Sequence, residues 1–289
     1  MQRGINVAVL VKLLTVSALI AMMLSMGLKV KVEEVAASIR KLRLVVAGLV
    51  ANYVLVPAVT IALLYLYGTD VMVSVGFLIL AVCPGAPVGP PFAATAKGDT
   101  TYATGQTVML AGMSALLSPV LLGALLPRLL PASELHIDYA AIVGTLLVSQ
   151  MLPLGIGLGI HHYAPKIADK VAKPLGLIAN VLLMGAVVLM LVNEYESLAA
   201  IRPRGWFGML LLLSASLGIG WLCGGPGRAT RKALAVITAS RNAAVALVIV
   251  SNNFDGTAAV TAVIAFALVS ILATLGTAIL FAAIPDPAE

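Results

Sequence analysis

The chain has 289 residues, of which 61% are hydrophobic and 10% charged, and its mean hydropathy is +1.08. Those proportions leave no room for a sizeable soluble domain and point to a polytopic helical membrane protein, whose spans need about 20 apolar residues each. The net charge of +6 does not call for nucleic acid, because the basic residues are scattered over short connections with no stacking aromatics beside them; the bilayer is the partner they imply.

The first apolar run, 6–28, has no small-residue cleavage site and leads into Lys29 and Lys31, so it is expected to stay as a helix, with Lys12 snorkelling outward. Further runs at 43–67, 71–95, 100–126, 139–162, 171–192, 205–223, 232–251 and 257–283 make nine expected spans in an all-α chain. The third, GFLILAVCPGAPVGPPFAATAKG, carries Pro84, Pro87, Pro90 and Pro91 with Gly85 and Gly89, which predicts a helix broken across its middle. Such irregular backbone must be buried in protein or line a cavity.

The eighth run, KALAVITASRNAAVALVIVS, places Arg241 in mid-span, the one charge that no membrane edge can take. A central guanidinium costs roughly 2.5–3.5 kcal/mol on insertion scales, so Arg241 is expected to face a polar interior. Thr238, Ser240 and Asn242 beside it permit a second break. One run follows the third span and one follows the eighth, so the breaks stand five helices apart. That is the offset of an inverted five-helix repeat whose first unit lacks its opening helix. Two broken helices crossing at the midplane offer both dipole ends and free carbonyls, the makings of a transport site.

Basic residues sort by connection. Twelve fall on one side (Lys29, Lys31, Arg40, Lys41, Arg43, Lys97, Lys166, Lys170, Lys173, Arg228, Arg231, Lys232), against Arg3, Lys12, Arg128, Arg202 and Arg204 on the other. The positive-inside rule then puts the N-terminus outside and the C-terminus in the cytoplasm, for which a bacterial inner membrane is the expected setting. His136, His161 and His162 fall at loops, no carboxylate falls mid-span, and Cys83 and Cys223 have no metal or redox spacing. No cofactor, metal cluster, proton relay or enzymatic centre is expected.

MGLKV in the first span, Asn52 and Pro57 in the second, CPGAPVGPPFAATAKGD, LLSPVLLGALLP and ITASRNAAVALVIV together resemble the bile acid/sodium symporters, relatives of the arsenite and auxin efflux carriers, in a nine-helix form. The resemblance covers nearly the whole chain. It implies one transporter unit, with a core of spans within 43–126 and 205–283, a panel of 6–28 and 139–192, and alternating access between them. It also implies that the family's sodium ligands are largely replaced. A Ser and an Asn of the first crossover become Gly89 and Pro90, beside Pro87, and a Ser of the next helix becomes Ala103, while Thr107 is kept. The acidic ligand becomes Ile237, a Gln becomes Arg241 beside the retained Asn242, and another Gln becomes Asn52.

The expected transport residues are therefore Arg241, Asn242, Ser240, Thr107, Asn52, Pro87, Gly89 and Pro90, with Thr107, Asn52 and Thr238 as candidate sodium ligands. A guanidinium repels a nearby cation. The leading expectation is thus a secondary carrier of a small organic anion with altered or absent sodium coupling, in which Arg241 holds the crossover together or pairs with the anion's carboxylate. A sodium symporter with rebuilt cation sites and a non-transporting scaffold or sensor remain as alternatives. Structural roles stand beside these: Arg241 binding loose helix carbonyls, Thr107 satisfying a carbonyl, Asn52 joining two helices and Asn242 capping the second half-helix.

Overall fold

The computed structural model describes residues 2–30, 41–129 and 139–284, which form helices and connections with no strand among them. Lys31, Arg40 and His136 lie outside the described residues. The first helix, α1, is Gln2–Lys29. The second span is α2 (Leu42–Val50), a π-helical turn (Ala51–Leu55) and α3 (Val56–Tyr67). The third is split into α4 (Val71–Val82) and α5 (Gly89–Thr95), and α6 is Thr100–Leu129. A second π-helical turn, Leu147–Met151, joins α7 (Tyr139–Leu146) to α8 (Leu152–Tyr163). The rest are α9 (Pro165–Asn193), short α10 (Tyr195–Ala199), α11 (Pro203–Cys223), α12 (Arg228–Ala239), α13 (Ala243–Asn253) and α14 (Ala258–Ala282).

Eight of these stretches are long and apolar enough to cross a bilayer, and the third expected span supplies the shorter helix Val71–Val82. The chain is an all-helical, multi-pass membrane protein. The proline-rich run is less irregular than its composition predicts. Only Pro84 and Pro87 lie in the break, whereas Gly89, Pro90 and Pro91 form the first turn of α5, where a missing N–H breaks no helical bond.

Both π-helical turns stand just before a proline. Pro57 and Pro153 lack an N–H, and in a regular helix their rings would strike the carbonyls of Tyr53 and Ser149. The turn widens instead, so that the Val56 N–H reaches Ala51 O and the Leu152 N–H reaches Leu147 O, each five residues back. The widening carries Asn52 and Gln150 into the interior, both fully buried.

Helices in lipid gain little from apolar contact and rely on close approach through small residues. Here α1 packs on α8 and α9, α11 on α12, α4 on α14, and α5 on α12. At the α1–α8 contact Gly27 meets Gly157 backbone to backbone: a Cβ on Gly27 would lie 2.9 Å from Gly157 Cα, and one on Gly157 would lie 2.8 Å from Leu28 N. Of the two histidines expected at loops, His161 belongs to this contact region and His162 is exposed. His161 and His162 end α8, and buried His161 sets its Nδ1 2.6 Å from Leu28 O. Gly157→Val should therefore lower stability by about 1–3 kcal/mol, read as thermal unfolding of purified protein in nanodiscs, while Gly155→Ala, with open space around it, should leave the midpoint unchanged or slightly raised.

Candidate functional site

The span that contains Arg241 is the most enclosed of all, with 94% of its apolar window buried against a highest value of 50% elsewhere. Its break, Ser240–Asn242, meets the break of the third span directly. The Asn242 N–H donates to Cys83 O at 2.9 Å and its side-chain amide to Gly85 O at 3.4 Å. Its Oδ1 accepts from the Val245 N–H at 3.3 Å and so caps α13. Gly85 makes the turn possible, since it has φ of +84° and a Cβ there would lie 2.8 Å from Ala111 Cα.

A helix that ends inside a membrane protein leaves carbonyls without partners, and each must find a donor. At the end of α4, Ala81 O accepts from Arg241 at 3.3 Å and Val82 O from Ser118 at 2.5 Å. At the end of α12, Thr238 O accepts from Arg241 at 2.7 Å and Ala239 O from Ser270 at 3.1 Å, while Ser240 returns both its N–H and its hydroxyl to Val236 O. One guanidinium thus binds the carboxyl ends of both half-helices. Arg241 is 6% exposed and has no carboxylate partner among the described residues.

The other expected residues fall around this knot. Gly89 faces it from α5, where a Cβ would lie 3.2 Å from Thr107 Oγ1 and 3.4 Å from an Ile237 side-chain carbon. Asn52 joins two helices, its amide donating to Gly48 O at 2.9 Å and to Thr238 Oγ1 at 3.2 Å. Thr107 was a candidate to satisfy a carbonyl, but its buried hydroxyl has no partner, and neither does Asn52 Oδ1. Pro87 lines a cavity of only about 50 Å³ with Ser240, Arg241 and Asn242, opposite Met22 of α1 and Leu183 of α9. Pro90 does not line it. That volume admits a water or two but no organic anion.

Sequence reasoning passed over Gln106 and Gln150. Buried Gln106 has neither amide atom partnered, and Gln150 donates to Ala111 O on α6. The signal available was a polar residue close before a mid-span proline, as in Gln150 with Pro153. Lys12 is exposed, in keeping with a snorkelling side chain, and it lines two cavities of about 380 and 420 Å³ between α1 and the α13–α14 corner, one with Thr145, Asn252 and Asn253, the other with Glu194 and Asp255.

A sodium site needs a shell of oxygen ligands. At the crossing Ile237 presents an alkyl side chain, and Ala81 O and Thr238 O already hold a guanidinium. The described residues contain no cluster of three or more His, Cys, Asp or Glu that could hold a metal. The knot does not fit sodium in the manner the family resemblance describes, although Thr107 Oγ1 and Asn52 Oδ1 are left as unengaged acceptors.

Residues 16–201 match the sequence profile of the Sodium Bile acid symporter family. The chain is similar to the ileal sodium/bile acid cotransporter of Cricetulus griseus, with 25% identity over 199 residues, 69% of this chain and 57% of that protein. It is similar also to the uncharacterized sodium-dependent transporter YocS of Bacillus subtilis, with 23% identity over 204 residues, 70% of this chain and 60% of the relative, and to the probable sodium/metabolite cotransporter BASS3, chloroplastic, of Oryza sativa subsp. japonica, with 23% identity over 162 residues, 56% and 37%. The chain spans less than two thirds of the length of these relatives. The profile match ends before the span that holds Arg241.

The crossing predicts a graded response to losing single donors. Asn242→Ala, which keeps the backbone bond to Cys83 O but loses the cap and the bond to Gly85 O, should cost about 1–2 kcal/mol. Ser270→Ala strands Ala239 O and should cost about 1–3 kcal/mol. Thermal unfolding of the two variants in nanodiscs checks both values.

Proposed function

Because the chain belongs to the sodium bile acid symporter family, a family of transporters and not of enzymes, we propose that it is a secondary carrier of a small organic anion in which the Arg241 guanidinium supplies the fixed positive charge that bound sodium supplies in relatives. The observation that carries this reading is the pair of bonds from Arg241 to Ala81 O and Thr238 O. With these donors engaged, the residue acts as the cation that holds the crossing together; the positive amino end of α13 is the group left to attract an anion.

The core in this reading is α2–α6 with α11–α14, the panel is α1 with α7–α9, and the cargo moves between them. The packing of α1 on α8 and α9 supports that division, as do the Lys12-lined cavities between α1 and α13. Lys12 then serves as a cationic lure at the mouth of the cleft, and Asn252 and Asn253 supply amide donors. The cavity at the crossing is too small for cargo, so binding requires the panel to draw back from Pro87 and Arg241. The basic connections support an N-terminus outside the cytoplasm.

A second reading is favoured by one observation, the unpartnered acceptors of Asn52 and Thr107. In that reading they form part of a rebuilt sodium site and transport stays coupled.

Uptake into proteoliposomes separates the two, with radiolabelled taurocholate, pantothenate and pyruvate as probes and sodium or choline outside. Accumulation of at least one probe at the same rate in either medium, reduced tenfold or more in Arg241→Gln, is the expected result. Uptake that vanishes in choline establishes the coupled reading, and uptake indifferent to the substitution removes Arg241 from the mechanism.

A further inference from the structure

A partly open cavity of about 460 Å³ lies between α3, α4, α11 and α14, with Ser197 of α10 on its wall. It shares no lining residue with the small cavity at Arg241, while Glu194 and Gly256 stand on the wall between it and the Lys12 cavity of about 420 Å³. Its walls are built from buried Leu64, Phe77, Met209 and Leu212. The volume lies within the range of small-molecule sites, roughly 300–1,000 Å³.

The polar groups on the wall are mostly committed. The Thr60 hydroxyl donates to Val56 O at 2.8 Å and the Thr257 hydroxyl to Phe254 O at 2.6 Å. Glu194 is the one charged residue lining the cavity, and its Oε2 accepts from the Thr261 hydroxyl at 2.7 Å, which holds the carboxylate against the core. Arg204 is engaged elsewhere, donating to Tyr67 O at 3.1 Å with its guanidinium 5.1 Å from the Tyr67 ring centroid.

We infer that this cavity is a second ligand site, separate from the crossing, that takes a lipophilic amine: the apolar body fills the space beside α10 and the ammonium pairs with Glu194. A carboxylate at the edge of an apolar chamber selects for charge, because a neutral or anionic head would lose its hydration without gaining an opposite charge. The ligand is opposite in sign to the proposed cargo. It lies beside α10, the segment through which α9 leads into α11, so an occupant wedges the link between those helices. The inference does not depend on transport or its coupling.

Three probes with one body and different heads test it: 1-adamantanamine, 1-adamantanol and 1-adamantanecarboxylate, each titrated against the full chain in phosphatidylcholine nanodiscs while thermal unfolding is followed. The amine should raise Tm by about 4 °C or more at saturation, with little effect from the other two. Glu194→Gln should abolish the amine's effect, and Glu194→Lys should transfer the preference to the carboxylate. Ala262→Phe, which fills the cavity and leaves Glu194 in place, should abolish stabilisation by every probe. Equal stabilisation by all three heads, none by the amine, or an amine effect that survives Glu194→Gln overturns the proposal. Since the readout is unfolding of the protein and not uptake, its failure leaves the carrier reading untouched, and the reverse holds as well.

Discussion

Two helices that end inside a membrane protein bring their carboxyl ends to one place, and each end carries about half a negative elementary charge. The sum is close to one. Arg241 answers it with one positive charge, delocalised over a flat fork that reaches Ala81 O on α4 and Thr238 O on α12 together. A lysine ammonium is more compact and more strongly hydrated, and a neutral amide would leave the convergent dipoles uncompensated in a medium of low dielectric. One side chain thereby engages the carboxyl ends of both broken helices.

The same constraint explains where the remaining polar side chains stand. Ser118 comes from α6, Ser270 from α14 and Asn242 from the second break itself, and each supplies a hydrogen to a carbonyl or to a backbone position that the interruptions left open. In soluble proteins water fills such roles. Within a bilayer the neighbouring helices must do it, so the donors fix how α4, α6, α12, α13 and α14 sit around the knot. The enclosure of α12 and α13 follows, since lipid on either face would strand these groups.

The first break was legible in the sequence because Pro84 and Pro87 remove donors that nothing in a helix can replace. Arg241 was legible because no membrane edge lies within reach. The second break was readable only as permission: Ser240 and Asn242 tolerate unwinding, and it is the bonds of Arg241 to Ala81 O and of Asn242 to Cys83 O and Gly85 O, far back in the chain, that require it. The π-helical turns were not readable, because a mid-span proline signals disturbance without saying whether the helix kinks or widens. Thr107 shows the limit from the other side, since the residue expected beside the crossing is present there but satisfies no carbonyl.

The meeting of Gly27 and Gly157 carries a mechanical consequence. Most helix contacts can creep, because side chains change rotamer as the axes slide. A joint of bare backbone has no rotamers to exchange: where Gly27 meets Gly157 no side chain stands between α1 and α8, and sliding at that point drives Cα atoms into peptide groups. That contact resists sliding of α1 along α8 more than a side-chain interface of the same length would.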